Sequence, residues 1–142
     1  MPKNYYASLR LVFLSIFAAP LMFLAVVIFT RNGENTPLVI GNDPFFFIVV
    51  IMGTGAIIAS KFLYEKRLAS IKAMSTPDEK LNAWRALFIM RVAIIEGVTL
   101  FTVIVFQMQH TDIYMFIALA LSAFQITHYP KENKIKNDCE IV

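Results

Sequence analysis

The sequence predicts an all-α integral membrane protein: an antiparallel bundle of four transmembrane helices with both termini cytoplasmic. Three observations predict it. The 142 residues are 58% hydrophobic and only 16% charged, with a mean hydropathy of +0.63, whereas soluble domains carry about 25% charged residues. Four apolar runs, 9–30, 45–63, 86–106 and 113–127, are separated by polar connections. Lysine and arginine gather at alternate connections, as they do in multi-pass proteins.

The length suits one domain, residues 1–130, with a charged tail, 131–142, that reads as mobile and cytoplasmic. The net charge of +3 does not point to nucleic acid, because the basic residues flank apolar runs and topology accounts for them. A single cysteine, Cys139, excludes an intramolecular disulfide and a cysteine-based metal motif.

The first helix is expected over about 8–30. Its apolar run is too long for a cleaved leader and no small-residue cleavage site follows, so it reads as a retained span. Pro20 removes one backbone donor inside it, and Gly33 is a plausible cap beyond it. The second helix is expected over 44–73, with Asp43 as cap and Pro44 in the first position. Gly53, Gly55, Ala56, Ala59 and Ser60 give it small-residue surfaces suited to close helix approach.

Thr76, Pro77 and Glu79 restart the chain as a third helix, 77–107, through a capping box. At 1.5 Å per residue this helix is roughly 46 Å long and overshoots a bilayer core of about 30 Å. Trp84 and Arg85 are expected as interface anchors, where an indole and a snorkelling guanidinium are stable. A short turn leads to the fourth helix, 112–129, whose Tyr114 and Tyr129 would extend a short apolar run into both interfaces. Pro130 ends it.

Orientation follows from the basic residues. Lys3 and Arg10 lie at the N-terminus, six lysines and arginines lie between Lys61 and Arg85, and Lys131, Lys134 and Lys136 lie in the tail. Arg31 is alone in the first loop and the third connection has none. The positive-inside rule then puts both termini and the middle loop in the cytoplasm, and the inner (cytoplasmic) membrane of a cell is the expected location.

Glu96 falls near the middle of the third apolar run. An ionisable group at the bilayer centre costs about 3 kcal/mol on insertion scales, so a partner or neutrality must offset it. Asn82, Arg85, Glu96, Thr99 and Gln107 share one face of the helix within about 100°. Arg91 lies about 140° from Glu96 on that wheel; it either pairs across helices or snorkels to headgroups. Ser122 and Gln125, with Tyr129 continuing their face, are the candidate partners for Glu96 on the fourth helix. His110 and His128 belong to opposite membrane faces and cannot share a metal. No nucleophile–base set, phosphate loop or metal-ligand spacing occurs, so neither an enzyme nor a cofactor is expected.

The string Ala93-Ile94-Ile95-Glu96-Gly97 resembles the ion-binding helix of rotor-ring proteolipid (c-type) subunits. Four-helix members of that family are two fused hairpins, and here Arg10-x-x-Phe13 answers Arg85-x-x-Phe88. The resemblance implies that Glu96 binds an ion. Two departures stand against it. The glutamate is on the third helix where the family uses the second or fourth, and five glycines are too few for a ring's inner helices. Small multidrug exporters also carry one membrane glutamate, but on their first helix. Along its whole length the chain is more similar to small four-helix bacterial inner-membrane proteins.

Two function classes follow. The first is a small structural or assembly subunit that packs with itself, as a homo-oligomer, or with a larger membrane complex, through the third-helix face centred on Glu96. The second is a proton- or cation-coupled conductor or carrier that uses Glu96.

Overall fold

The computed structural model describes residues 3–31, 37 and 43–141. Five helices follow one another: α1 (Lys3–Thr30), α2 (Pro44–Lys72), α3 (Pro77–Gln109), α4 (Asp112–Ile126) and α5 (Glu132–Cys139). The all-helical expectation is met. Three of the helices, α1, α2 and α3, are long and apolar enough to cross a membrane, while α4 is apolar but shorter at 15 residues.

The helix starts are written in local chemistry. Asp43 leaves the chain extended and its Oδ1 accepts from the Phe45 N–H at 3.0 Å, with Pro44 in the first position. Thr76 does the same for α3, its Oγ1 accepting from the Glu79 N–H at 3.4 Å. Thr111 occupies the cap position of α4 but gives no side-chain cap; its hydroxyl donates to the Gln109 carbonyl instead. Helix α1 runs through Pro20 without a break. Gly33, the expected cap of α1, lies outside the described residues.

Helix α3 is the hub and packs against each of the other four. Its N-terminal end meets that of α1, where the Tyr5 hydroxyl donates to the Leu81 carbonyl at 2.6 Å. Its C-terminal end meets that of α1 as well: Arg31 forms an ion pair with Asp112 at 3.0 Å and donates to the His110 carbonyl. One core cluster, with Leu9, Phe13, Leu81, Trp84, Phe88 and Val92, fills the end nearest the 73–76 turn. A second, with Leu24, Val27, Val49, Val103, Phe106 and Tyr114, fills the opposite end. Between them Ala56, Val98 and Leu121 join α2, α3 and α4. The small-residue surface of α2 divides in two. Gly53, Ala56 and Ser60 are buried, with Leu121 at ordinary contact distance from Gly53, while Gly55 and Ala59 face outward.

Much of the outer surface is apolar. Phe29 is 88% exposed and Ile51 70%, an arrangement that water penalises and acyl chains do not.

The tail departs from its expected mobility. Residues 132–139 form α5, and Ile135 and Cys139 are buried in the first core cluster. The physical reason is their i, i+4 spacing, which puts both apolar side chains on one face of a short helix.

Helix α3 ends on His110, which takes the left-handed conformation at φ 53°. That conformation costs a non-glycine residue about 1–2 kcal/mol, and the His110 Nδ1 is buried without a partner among the described residues. His110→Gly is therefore expected to raise the thermal unfolding midpoint of the detergent-solubilised protein by about 2–6 °C. His110→Ala keeps the left-handed cost and is expected to fall short of that gain. Equal midpoints for the two variants would contradict the strain argument.

Candidate functional site

The geometry of α3 decides where Glu96 points. Helix α4 packs on the side of α3 that carries Val98 and Val105. Glu96 precedes Val98 by two residues, which places it about 160° around the helix from that contact. The expected partners on α4 are therefore out of play. The Ser122 hydroxyl donates to its own helix at the Ala118 carbonyl, 2.9 Å away. Gln125 is fully buried, and neither its Oε1 nor its Nε2 has a partner among the described residues. Thr99 shares the expected polar face but is fully buried and donates to the Ile95 carbonyl at 2.9 Å.

Glu96 itself is half-buried and makes no hydrogen bond or ion pair among the described residues. It borders an open stripe of α3 made by Ala86, Met90, Ala93, Gly97 and Ile104, all exposed. A Cβ added at Gly97 would meet nothing within 4 Å. On the other flank of Glu96 lies α1. Tyr5 bonds to Leu81 and Phe13 touches Phe88, so α1 and α3 keep an offset of 76 and 75 residues. Carried along two parallel helices of equal rise, that offset brings the buried Pro20 level with Ile95 and Glu96. Proline lacks the N–H that would otherwise donate to the Ile16 carbonyl one turn below.

Arg91 neither snorkels nor reaches Glu96. Its guanidinium carbon stacks 4.4 Å over the Tyr64 ring, and its Nε is buried without a partner among the described residues. It lies on the α4 side of α3, close enough to His128 for its charge, after burial itself, to hold that imidazole below its ordinary range. Trp84 is not an interface anchor either. It is 2% exposed, stacks on Phe88 with ring centroids 5.3 Å apart, and donates from Nε1 to Asp138 Oδ2 at 3.1 Å. The Tyr64 hydroxyl donates to the same carboxylate oxygen. One carboxylate on α5 thus gathers α2 and α3, and Lys134 adds a cation 5.3 Å from the Tyr64 ring. Arg85 is half-buried near Tyr5, and Tyr129 packs edge-on against Phe13 beneath Arg10. His110 and His128 lie at opposite ends, as expected.

The structure thus separates the residues that sequence reasoning grouped. Glu96 stands alone on the open flank of α3. Arg91, Gln125 and His128 sit on the inner side, under the α5 clasp. Asp138 was missed; the one signal that could have found it is the Ile135–Cys139 spacing, which predicts a docked helix and so a docked carboxylate. Cys139 is buried, and burial first, then the Asp138 carboxylate, pushes its thiol up to about 11. At neutral pH that leaves about one thiolate in ten thousand.

The clasp makes the thiol a reporter. Asp138→Ala removes the acceptor shared by Tyr64 and Trp84, and α5 is expected to undock. Cys139 then returns toward an ordinary thiol value, and its labelling by a disulfide reagent at neutral pH should accelerate by about two orders of magnitude. Wild-type labelling should rise only as the pH climbs toward 11. Equal rates in both proteins at pH 7 would show that Asp138 does not hold α5.

Comparison with protein-family models, with curated proteins and with solved structures gives no match for this chain.

Proposed function

We propose that this chain is a small, non-enzymatic, four-span membrane subunit that pairs with a second copy of itself through the open stripe of α3. In this reading α4 is the fourth span, lying antiparallel to α3, and both termini and the 73–76 turn are cytoplasmic. The charge pattern supports that orientation. Lys3, Arg10, the basic residues from Lys61 to Arg85 and those of the tail lie toward one end. The only basic residue at the other, Arg31, is paired with Asp112.

The observation that carries the pairing is the unpartnered Glu96 carboxyl beside Ala93 and Gly97. Small residues four apart let two helix backbones approach closely, and a polar group at such a crossing finds its partner on the other helix. A two-fold contact through identical stripes sets the two Glu96 side chains near each other, where neutral carboxyls bond reciprocally. Pairing satisfies a group that the isolated chain leaves exposed to acyl chains.

Topology has a direct test. A reporter fused after Val142 that works only outside the cytoplasm is expected to stay silent; activity there would overturn the four-span reading.

The pairing is tested by the particle mass in bilayer discs or mild detergent. The wild type is expected as a dimer. Gly97→Ile has room in the single chain but fills the crossing, and should give a folded monomer. Glu96→Gln should keep the dimer, because an amide still bonds across the contact. Glu96→Ala should weaken it roughly 5- to 30-fold. A monomeric wild type, or a Gly97→Ile protein as dimeric as the wild type, would refute the proposal. Should Glu96→Gln stay paired yet abolish proton or cation flux in vesicles, the pair serves ion coupling.

A further inference from the structure

A depression of about 270 Å³ opens where α4 passes into α5, lined by Arg10, Tyr129 and the stretch 130–134. Three of its lining side chains are cations: Arg10, Lys131 and Lys134, all exposed. None of the three has a carboxylate partner among the described residues. The one acid in the lining, Glu132, is engaged by Lys136 at 3.1 Å. Two of the cations are held in place by aromatic rings. Arg10 lies 5.9 Å from the centre of the Tyr129 ring, and Lys134 lies 5.3 Å from that of Tyr64. Ring contacts of this kind fix a cation without neutralising it. Just beyond the depression, one turn from Arg10 on the same face of α1, Leu14 is 52% exposed, and its neighbour Leu11 is 66% exposed.

We propose that this depression binds the phosphodiester headgroup of an anionic phospholipid, with Arg10, Lys131 and Lys134 as its cationic walls and an acyl chain lying along Leu14. The shared chemistry is a phosphate. The apolar strip that begins at the rim selects the lipid over a free ion, since a soluble phosphate has no use for it. The Asn133 side chain adds an uncharged amide able to bond the glycerol or a second headgroup oxygen. Basic clusters at the cytoplasmic end of a span draw anionic lipid in this way. The site rests on the four-span reading, which puts this end of the bundle at the membrane surface, but it is independent of the α3 pairing. The reporter test of topology and the lipid test therefore fail separately.

The test is native mass spectrometry of the full chain released from micelles. The micelles hold equal amounts of phosphatidylglycerol and phosphatidylcholine, and the readout is the lipid retained. The wild type should retain phosphatidylglycerol in preference to phosphatidylcholine. The combined change Arg10→Gln, Lys131→Gln and Lys134→Gln should cut that preference by roughly a hundredfold, the joint pull of three cations on an anionic headgroup. All three side chains are exposed, so the variant should keep the wild-type helix signal and unfolding midpoint. Lys61→Gln, Lys66→Gln and Arg67→Gln together remove the same charge from α2 and should leave the preference within about twofold, because they lie outside the site. Equal retention of the two lipids by the wild type would overturn the site. So would an equal loss in the α2 control, which would mark general attraction to charge. Inorganic phosphate in large excess should compete poorly; complete displacement by it would mean a soluble anion is the ligand and would overturn the lipid assignment.

Discussion

The buried hydroxyls in the apolar middle of the bundle need acceptors there, and each finds one on its own helix. Thr99 donates to Ile95, Thr102 to Val98, Ser122 to Ala118 and Ser60 to Ile57, all at 2.8–2.9 Å. These bonds satisfy the groups but tie no helix to another. Across the middle, among the described residues, helices meet through shape alone, in contacts such as Ala56, Val98 and Leu121. Among acyl chains such packing gains little from leaving the solvent, since lipid is as apolar as leucine. The bonds that fix one helix against another are therefore at the ends. Tyr5 on Leu81 and the Tyr64–Trp84–Asp138 clasp hold one end. Arg31 on Asp112 and the Tyr114–Asp43 bond hold the other.

This division explains why α3 tolerates a carboxyl where it does. A central helix contacted by α1, α2 and α4 has three covered sides. Valines, isoleucines and self-bonded threonines fill them, because a charged or doubly polar side chain there would need a partner across the gap. Glu96 sits on the border of the remaining side. The orphan groups inside, Arg91 Nε and the Gln125 amide, mark the opposite case. They lie near the clasped end, where polar groups from α2, α3 and the loop after α4 already converge, and each unmade bond costs about 1–3 kcal/mol.

Much of this was legible from residue order. The starts of α2 and α3 lie at Pro44 and Pro77, where Asp-Pro and Thr-Pro place them, because the capping chemistry is local. The place of Glu96 midway along α3 was legible too, since it needs only a count along an apolar run. Its neighbours were not. A helical wheel shows which residues share a face of α3 but not which face α4 will cover, and the short turn through His110 and Thr111 made α4 the obvious partner for the wrong side. Trp84 misled for a related reason. An indole beside an arginine at the end of an apolar run has the composition of an interface anchor, and only the docked Asp138 reveals that its N–H points inward. The tail was read from its charge, and six of eight polar residues in ENKIKNDC outweighed the two that pack.

The solitude of Glu96 also orders the two function classes. A coupling ion in a membrane needs several oxygens around it, and in one chain Glu96 offers a single carboxyl. The nearest residues along its stripe are Ala93, Gly97 and Leu100, which have no side-chain oxygen. Thr99 has one, but it is buried in contact with the other helices and its proton is committed to Ile95. A proton is less demanding, yet Glu96 has no hydrogen-bond partner among the described residues to pass it to. A second α3 across the stripe changes both conditions, because it brings another carboxyl to the same depth. Conduction through Glu96 therefore presupposes assembly through Glu96, whereas assembly presupposes nothing further. For that reason the proposed reading puts the contact between copies before the ion.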